Sequence, residues 1–209
     1  VPRNGVIEGI YKEGHKIHSN VLLCFTTDPY CHANEKYKIT RKAIIALHET
    51  GNTATVLTKG GMRSLQDKDV MTDKDTYATT LTFTDEAMEK QYEPYAAPNS
   101  ERLEALKYYH DIGLKTWVSI EPVVDPAQSL ELIRKSADFV DLYKVGKLNH
   151  VKNETNWEDF YTSATRLLEE LKKPYYIKED LKKWGLKSNT LNLKGRLDLE
   201  ETFSMNTSN

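Results

Sequence analysis

Short apolar, β-branched runs recur along this chain, and each breaks off in polar or ionisable residues. They are Val21-Leu22-Leu23-Cys24-Phe25 into Thr26-Thr27-Asp28-Pro29, Thr55-Val56-Leu57 into Thr58-Lys59-Gly60-Gly61, Tyr77-Ala78-Thr79-Thr80-Leu81 into Thr82-Phe83, Trp117-Val118-Ser119-Ile120 into Glu121-Pro122, and Leu142-Tyr143 into Lys144-Val145-Gly146-Lys147-Leu148-Asn149. Runs that are apolar at successive positions suit strands covered on both faces. Between them the apolar spacing becomes helical. Thr40 reads as an N-cap for Ala43, Ile44 and Leu47, with Gly51 closing the helix, and a second helix runs from Ser100 through Leu103 and Leu106 to Gly113. Asp125-Pro126-Ala127-Gln128 is a capping box with Pro at the first helical position, ahead of Leu130, Ile133 and Ala137. Thr155-Asn156-Trp157-Glu158 repeats the box before Phe160, Ala164, Leu167, Leu168 and Leu171, and a last short run, Tyr175-Tyr176-Ile177-Lys178, follows.

Strands alternating with helices predict βα units, a parallel sheet and right-handed crossovers. Open doubly wound sheets and barrels share this pattern. The irregular spacing of the runs and the lack of a fixed-period repeat favour a βα barrel with variable loops over a solenoid. In such barrels the polar ends of the strands meet on one rim, where the chemistry sits.

Composition narrows the classes. The chain has 209 residues and a formal charge of −2, which fits one domain and argues against a generic basic surface for nucleic acid, though not against a local basic groove. No apolar stretch is long enough to cross a bilayer and no signal pattern is present, so a cytoplasmic protein is expected. Two cysteines make no disulfide framework; Cys24 reads as a buried thiol, and Cys31 falls just past a strand end. The chain opens on Val1 in a segment that reads as mid-loop, which predicts missing upstream sequence. Residues 1–20 are expected to be a linker, 21–185 the barrel and 186–209 a loosely packed tail.

Several strand-end residues carry chemistry. Thr27 and Asp28 offer a hydroxyl and a carboxylate, yet Asp-Pro also simply ends a strand. Lys59 emerges from an apolar run before two glycines, an arrangement suited to a carboxylate or phosphate, or to a lysine reaching solvent. Glu121 suits an amine, a ribose hydroxyl or a metal. Alternation places Lys144 and Gly146 on one strand face and Val145 and Lys147 on the other, so one lysine at most points inward. Lys144 is thus a Schiff-base candidate, or the ion-pair partner of a carboxylate such as Glu121. The histidines lack metal-site spacing, His48 and His110 read as surface cations near helix ends, and no glycine-rich phosphate fingerprint occurs. Tyr30, Tyr37, Tyr92 and Tyr95 read as pocket-lining or packing residues.

Taken in order, Phe25-Thr26-Thr27-Asp28-Pro29-Tyr30, Glu35-Lys36-Tyr37 before Thr40-Arg41-Lys42-Ala43, Leu57-Thr58-Lys59-Gly60-Gly61, Thr80-Leu81-Thr82-Phe83, Glu93-Pro94, Glu101-Arg102-Leu103-Glu104-Ala105-Leu106, the segment from Ser119 to Leu130, and Tyr143 to Asn149 resemble the radical S-adenosylmethionine proteins related to spore photoproduct lyase. The resemblance runs from about residue 20 to residue 182. It implies a partial, TIM-like (βα)6 barrel lacking its first βα unit, with S-adenosylmethionine and a [4Fe–4S] cluster at the carboxyl rim. By motif, Lys59, Thr82, Thr27, Asp28 and Glu121 would surround the adenosylmethionine, with Tyr30, Cys31, Lys144, Lys147 and Asn149 as substrate-side candidates.

The implied activity is reductive cleavage to a 5′-deoxyadenosyl radical that abstracts hydrogen from a substrate, damaged DNA among the candidates, with flavodoxin or ferredoxin as reductant. The family's CxxxCxxC loop is missing. Cys24 and Cys31 have neither its number nor its spacing, so the cluster cysteines are expected upstream and the chain alone is expected to be inactive. Two other readings stand beside this one: a Schiff-base aldolase using Lys144, and a non-catalytic nucleotide-binding barrel.

Overall fold

The computed structural model describes residues 4–24, 26–149 and 154–185. Phe25, the start at Val1 and the tail after residue 185 lie outside the described residues. Six parallel strands, β1 (Asn20–Leu23), β2 (Thr53–Thr58), β3 (Thr76–Thr80), β4 (Lys115–Val123), β5 (Leu142–Lys147) and β6 (Tyr175–Ile177), pair in sequence order. Helices connect them: α1 (Val6–Gly14) precedes β1, α2 (His32–Tyr37) and α3 (Ile39–Glu49) follow it, α4 (Glu86–Tyr92) and α5 (Asn99–Asp111) follow β3, α6 (Pro126–Ser136) follows β4, α7 (Trp157–Glu170) follows β5, and α8 (Glu179–Gly185) follows β6. β1 and β6 pair with no further strand among the described residues, so the sheet is a partial barrel.

The strands need both faces covered, and the two faces are covered unequally. Behind the sheet, Val56, Tyr77, Val118, Ile120, Tyr143 and Val145 pack on helix residues such as Ile44, Leu106, Tyr109, Ile133, Phe160 and Leu168 in one large core. Tyr77 and Tyr109 stack there with ring centroids 4.2 Å apart. On the other face a thin cluster of Leu22, Leu57, Ala78, Trp117 and Leu142 takes one side chain from each of five strands. This apolar floor lines the inside of the curl. Cys24, just past β1, lies within electrostatic reach of Lys144 on β5 and Lys178 after β6, which only a strongly curled sheet permits.

Local signals set most boundaries. Asp125 caps α6 by accepting from the amides of Ala127 at 2.8 Å and Gln128 at 3.2 Å, and Asn156 caps α7 in the same way. Gly51 and Gly113 end their helices with positive φ. Three details differ from the sequence reading. Lys38, in a left-handed conformation, precedes α3, so Thr40 is inside the helix, where its amide donates to Asn34 Oδ1 at 3.0 Å. α5 begins at Asn99 rather than Ser100. The segment expected to be a linker contains α1, which packs on α3.

His48 is also not a simple surface cation. Its Nε2 lies 2.9 Å from Oδ1 of the buried Asp75, which also accepts from the amides of Ala54 and Thr72. That cluster ties α3 to the amino ends of β2 and β3.

Candidate functional site

The carboxyl ends of the strands form the mouth of the curl. Its first wall is built by Asp28, whose carboxylate accepts from the Tyr30 amide at 2.8 Å, the Thr58 hydroxyl at 2.6 Å and the Lys59 amide at 2.6 Å. Asp28 therefore fastens the loop after β1 to the end of β2. Thr27 is exposed beside it, donating to the Asp28 carbonyl at 3.2 Å and to Cys31 Sγ at 3.7 Å. Tyr30 turns away from the mouth. It is 1 % exposed within the core behind the sheet, and burial raises its phenol far above the usual range, so it is a packing residue and not a substrate-side group. Gly61 is required here twice over: its φ is +52°, and a Cβ would lie 2.7 Å from the Ala97 side chain.

Lys59 has a dedicated counter-ion. Its Nζ donates to Glu93 Oε1 at 2.5 Å, and Glu93 Oε2 lies 2.7 Å from Nη2 of Arg102, which also lies 3.2 Å from Glu89 Oε1. Arg102 is fully buried, and its remaining donors reach the carbonyls of Ala97 at 2.6 Å and Thr80 at 3.0 Å. Burial alone would raise Glu93, but the Arg102 and Lys59 charges outweigh it and hold the carboxyl below its ordinary value. Glu89 goes the other way: burial raises it more than Arg102 lowers it. Glu93 and Arg102 belong to motifs read in the sequence, yet the pairing of Glu93 with Lys59 spans 34 residues and leaves no local signal.

Thr82 follows β3 and is 1 % exposed, and its Oγ1 has no hydrogen-bond partner among the described residues. A buried hydroxyl left this way costs stability unless something else binds it. Across the mouth, Glu121 pairs with Lys178, a residue the sequence reading left as the end of a strand run. The two meet over Gly146, where a Cβ would fall 2.5 Å from Glu121 Oε1 and 3.0 Å from Lys178 Cδ. Lys144 is therefore not the partner of Glu121. Its Nζ lies 4.0 Å from the centroid of the Trp117 ring, and burial pushes it down to about 8, with Cys24 opposing weakly. Burial likewise raises the Cys24 thiol, Asp28 adding to the effect while Lys144 and Lys178 oppose it.

Two sequence candidates lie off the mouth. Lys147 faces the helices, with its Nζ 5.2 Å from the Trp157 ring, and Asn149 reaches Asp180 of α8 at 3.2 Å. A separate cleft of about 650 Å³ between α6 and the start of α7 is lined by Val124, Leu130, Asn156 and Phe160 and contains none of the candidates.

No protein-family model matches this chain, and no curated protein matches it. Solved structures do. Streptococcus suis SuiB bound to S-adenosylmethionine superposes with a TM-score of 0.65 at 14 % identity, over 88 % of this chain and 45 % of SuiB. SuiB bound to the precursor peptide SuiA gives 0.63 at 14 % identity, over 92 % and 47 %. A domain of pyruvate-formate lyase-activating enzyme from Bacteroides vulgatus gives 0.59 at 10 % identity, over 76 % of this chain and 98 % of that domain. The likeness is one of fold. The chain spans less than half the length of SuiB.

Fit to the cofactors implied by the resemblance divides. The unpartnered Thr82 hydroxyl, together with a lysine and two carboxylates at the mouth, suits a ligand with hydroxyls, an ammonium and a carboxylate, which S-adenosylmethionine has. A [4Fe–4S] cluster does not fit: Cys24 and Cys31 are the cysteines present, and the described residues contain no group of three or more metal-ligating side chains. No helix among the described residues is long and apolar enough to cross a membrane.

Proposed function

We propose that the mouth of this partial barrel binds S-adenosylmethionine and that the chain is the barrel of a radical S-adenosylmethionine enzyme. The Thr82 hydroxyl carries the reading: it is a buried polar group at the strand ends that the described residues leave without a partner. The fold likeness supports it, since the structural neighbours are radical S-adenosylmethionine enzymes. The Lys59–Glu93 pair offers one cation and one carboxylate to the zwitterionic amino-acid end of the ligand, and Thr82 a hydrogen bond to its ribose or amine. Glu121, steered by Lys178, faces the same opening. Thr27 and Asp28 shape the near wall, Asp28 through the bonds that fix the Lys59 amide.

The chain's own part is binding and orientation, and no step is drawn through a cluster. Lys59 and Lys178 are each paired with a carboxylate and so offer a damaged-DNA substrate no free positive charge. The Schiff-base reading has the depressed Lys144 in its favour, but among the described residues no carboxylate lies within ion-pair distance of that amine to manage protons.

Titration calorimetry of the chain with S-adenosylmethionine tests the binding. Saturable heat that is weakened by Lys59→Ala is expected, and absence of binding overturns the reading. Formation of 5′-deoxyadenosine by the full-length protein under dithionite then separates an enzyme from a non-catalytic nucleotide-binding barrel.

A further inference from the structure

One row of residues on the inner face, directly above the apolar floor, has no role in the site as described so far. Strand register pairs Leu57, Ala78, Trp117 and Leu142 in sequence across the floor. Two residues further along each strand, it pairs Thr80 with Ser119, Ser119 with Lys144, and Lys144 with Tyr176. Alternation puts all four of these on the same face as the floor. Adjacent strands thus present hydroxyl, hydroxyl, ammonium and phenol side by side, about 4.8 Å apart from strand to strand.

None of these four side chains has a hydrogen-bond or ion-pair partner among the described residues, and Lys144 meets only the Trp117 ring. The contrast with the other cations of the mouth is sharp. Lys59 has Glu93, Arg102 has Glu89 and Glu93, and Lys178 has Glu121. A half-buried ammonium without a counter-ion is unfavourable, and the lowered pKa of Lys144 reflects that cost. Hydroxyls beside it supply donors.

We infer that Thr80, Ser119 and Lys144, with Tyr176 alongside, form a subsite for an anionic oxygen group, a carboxylate or a phosphate, carried by the substrate that enters the mouth. Both anions are a few ångströms across, so two or three of these donors reach one group together. The Trp117 floor stops the ligand from passing deeper and keeps water from competing beneath it. The inference rests on the mouth being a ligand site but not on the identity of the nucleotide.

Site-resolved lysine acetylation, followed by peptide mass spectrometry at pH about 8, where part of Lys144 is free amine, tests it. Inorganic phosphate or benzoate should slow acetylation of Lys144 several-fold relative to chloride at matched ionic strength, with exposed lysines such as Lys183 unchanged. Protection by phosphate alone points to a phosphorylated substrate, and protection by benzoate alone to a carboxylic acid. Ser119→Ala should reduce the protection while leaving the melting temperature near that of the parent chain. Equal protection by chloride, or none by either anion, overturns the inference. So does protection by S-adenosylmethionine alone, which assigns the row to the cofactor. Binding of S-adenosylmethionine without protection leaves the cofactor reading intact and this one intact or refuted on the anion arms alone.

Discussion

Thr82→Val separates a hydroxyl kept for a ligand from one kept for the fold. The substitution preserves shape and removes only an oxygen that is buried without a partner among the described residues. An unsatisfied buried polar group costs about 1–3 kcal/mol, so the ligand-free variant should gain about 1–2 kcal/mol. In a chain of this size that raises the melting temperature by about 2–8 °C. The loss of one hydrogen bond to a ligand, about 0.5–1.5 kcal/mol, should weaken S-adenosylmethionine binding roughly 2- to 10-fold.

Thr79→Val is the matched control. Its Oγ1, on β3, donates to the Thr58 carbonyl of the neighbouring β2 at 2.7 Å, so the same change there should lower stability by about 1 kcal/mol. Thermal melts with and without S-adenosylmethionine, beside calorimetry, read both quantities. A Thr82→Val protein that melts lower, or that binds S-adenosylmethionine as well as the parent, refutes the reasoning.

Arg102→Met, which leaves Glu89 without a cation and Glu93 with Lys59 alone, should cost about 3–5 kcal/mol in urea denaturation. Because Glu93 titrates below its ordinary value of 4.5, its contribution is present above that pH and lost as pH falls through the folded value, so Glu93→Gln should flatten the acid limb of the stability curve below about pH 4.5. Lys144 has the opposite pattern: between about 8 and 10.5 the unfolded chain holds a proton that the folded chain does not, so stability should climb with pH across that window, and Lys144→Met should remove the climb. Gly146→Ala should push Glu121 and Lys178 apart, since both are flexible ends; the expected cost is below about 1 kcal/mol in denaturation, and chemical shifts of the Lys178 side chain should report the separation.

The strands were readable because each is a dense apolar run with a polar stop, and all six appear where the runs place them. The helices α3, α5, α6 and α7 were readable from period and caps. α2 and α4 span 6 and 7 residues, too short for a period to show, and α1, only 9 residues long and carrying two glycines, passes for a linker. Alternation alone predicts that one lysine at most points inward, and the structure shows that it is Lys144. What alternation does not reveal is which side chains meet across the curl. Lys178 meets Glu121 from 57 residues away, Arg102 gathers two glutamates, and Asp28 spends its carboxylate on the β2 loop instead of on a ligand. Tyr30 and Lys147 show the converse: motif membership put them beside chemistry, whereas the local backbone turns them into the core and onto a helix.

A barrel whose strands close on themselves has its bore fixed by the strand number and the stagger of its hydrogen bonds. The sheet described here runs from β1 to β6 without that closure, so the width of its mouth is held by what lies behind it. Tyr77 against Tyr109, and Val118 and Val145 against the helices, act as the hoop. Substitutions in that rear packing, remote from every polar group at the rim, should therefore tune how large a molecule the mouth admits.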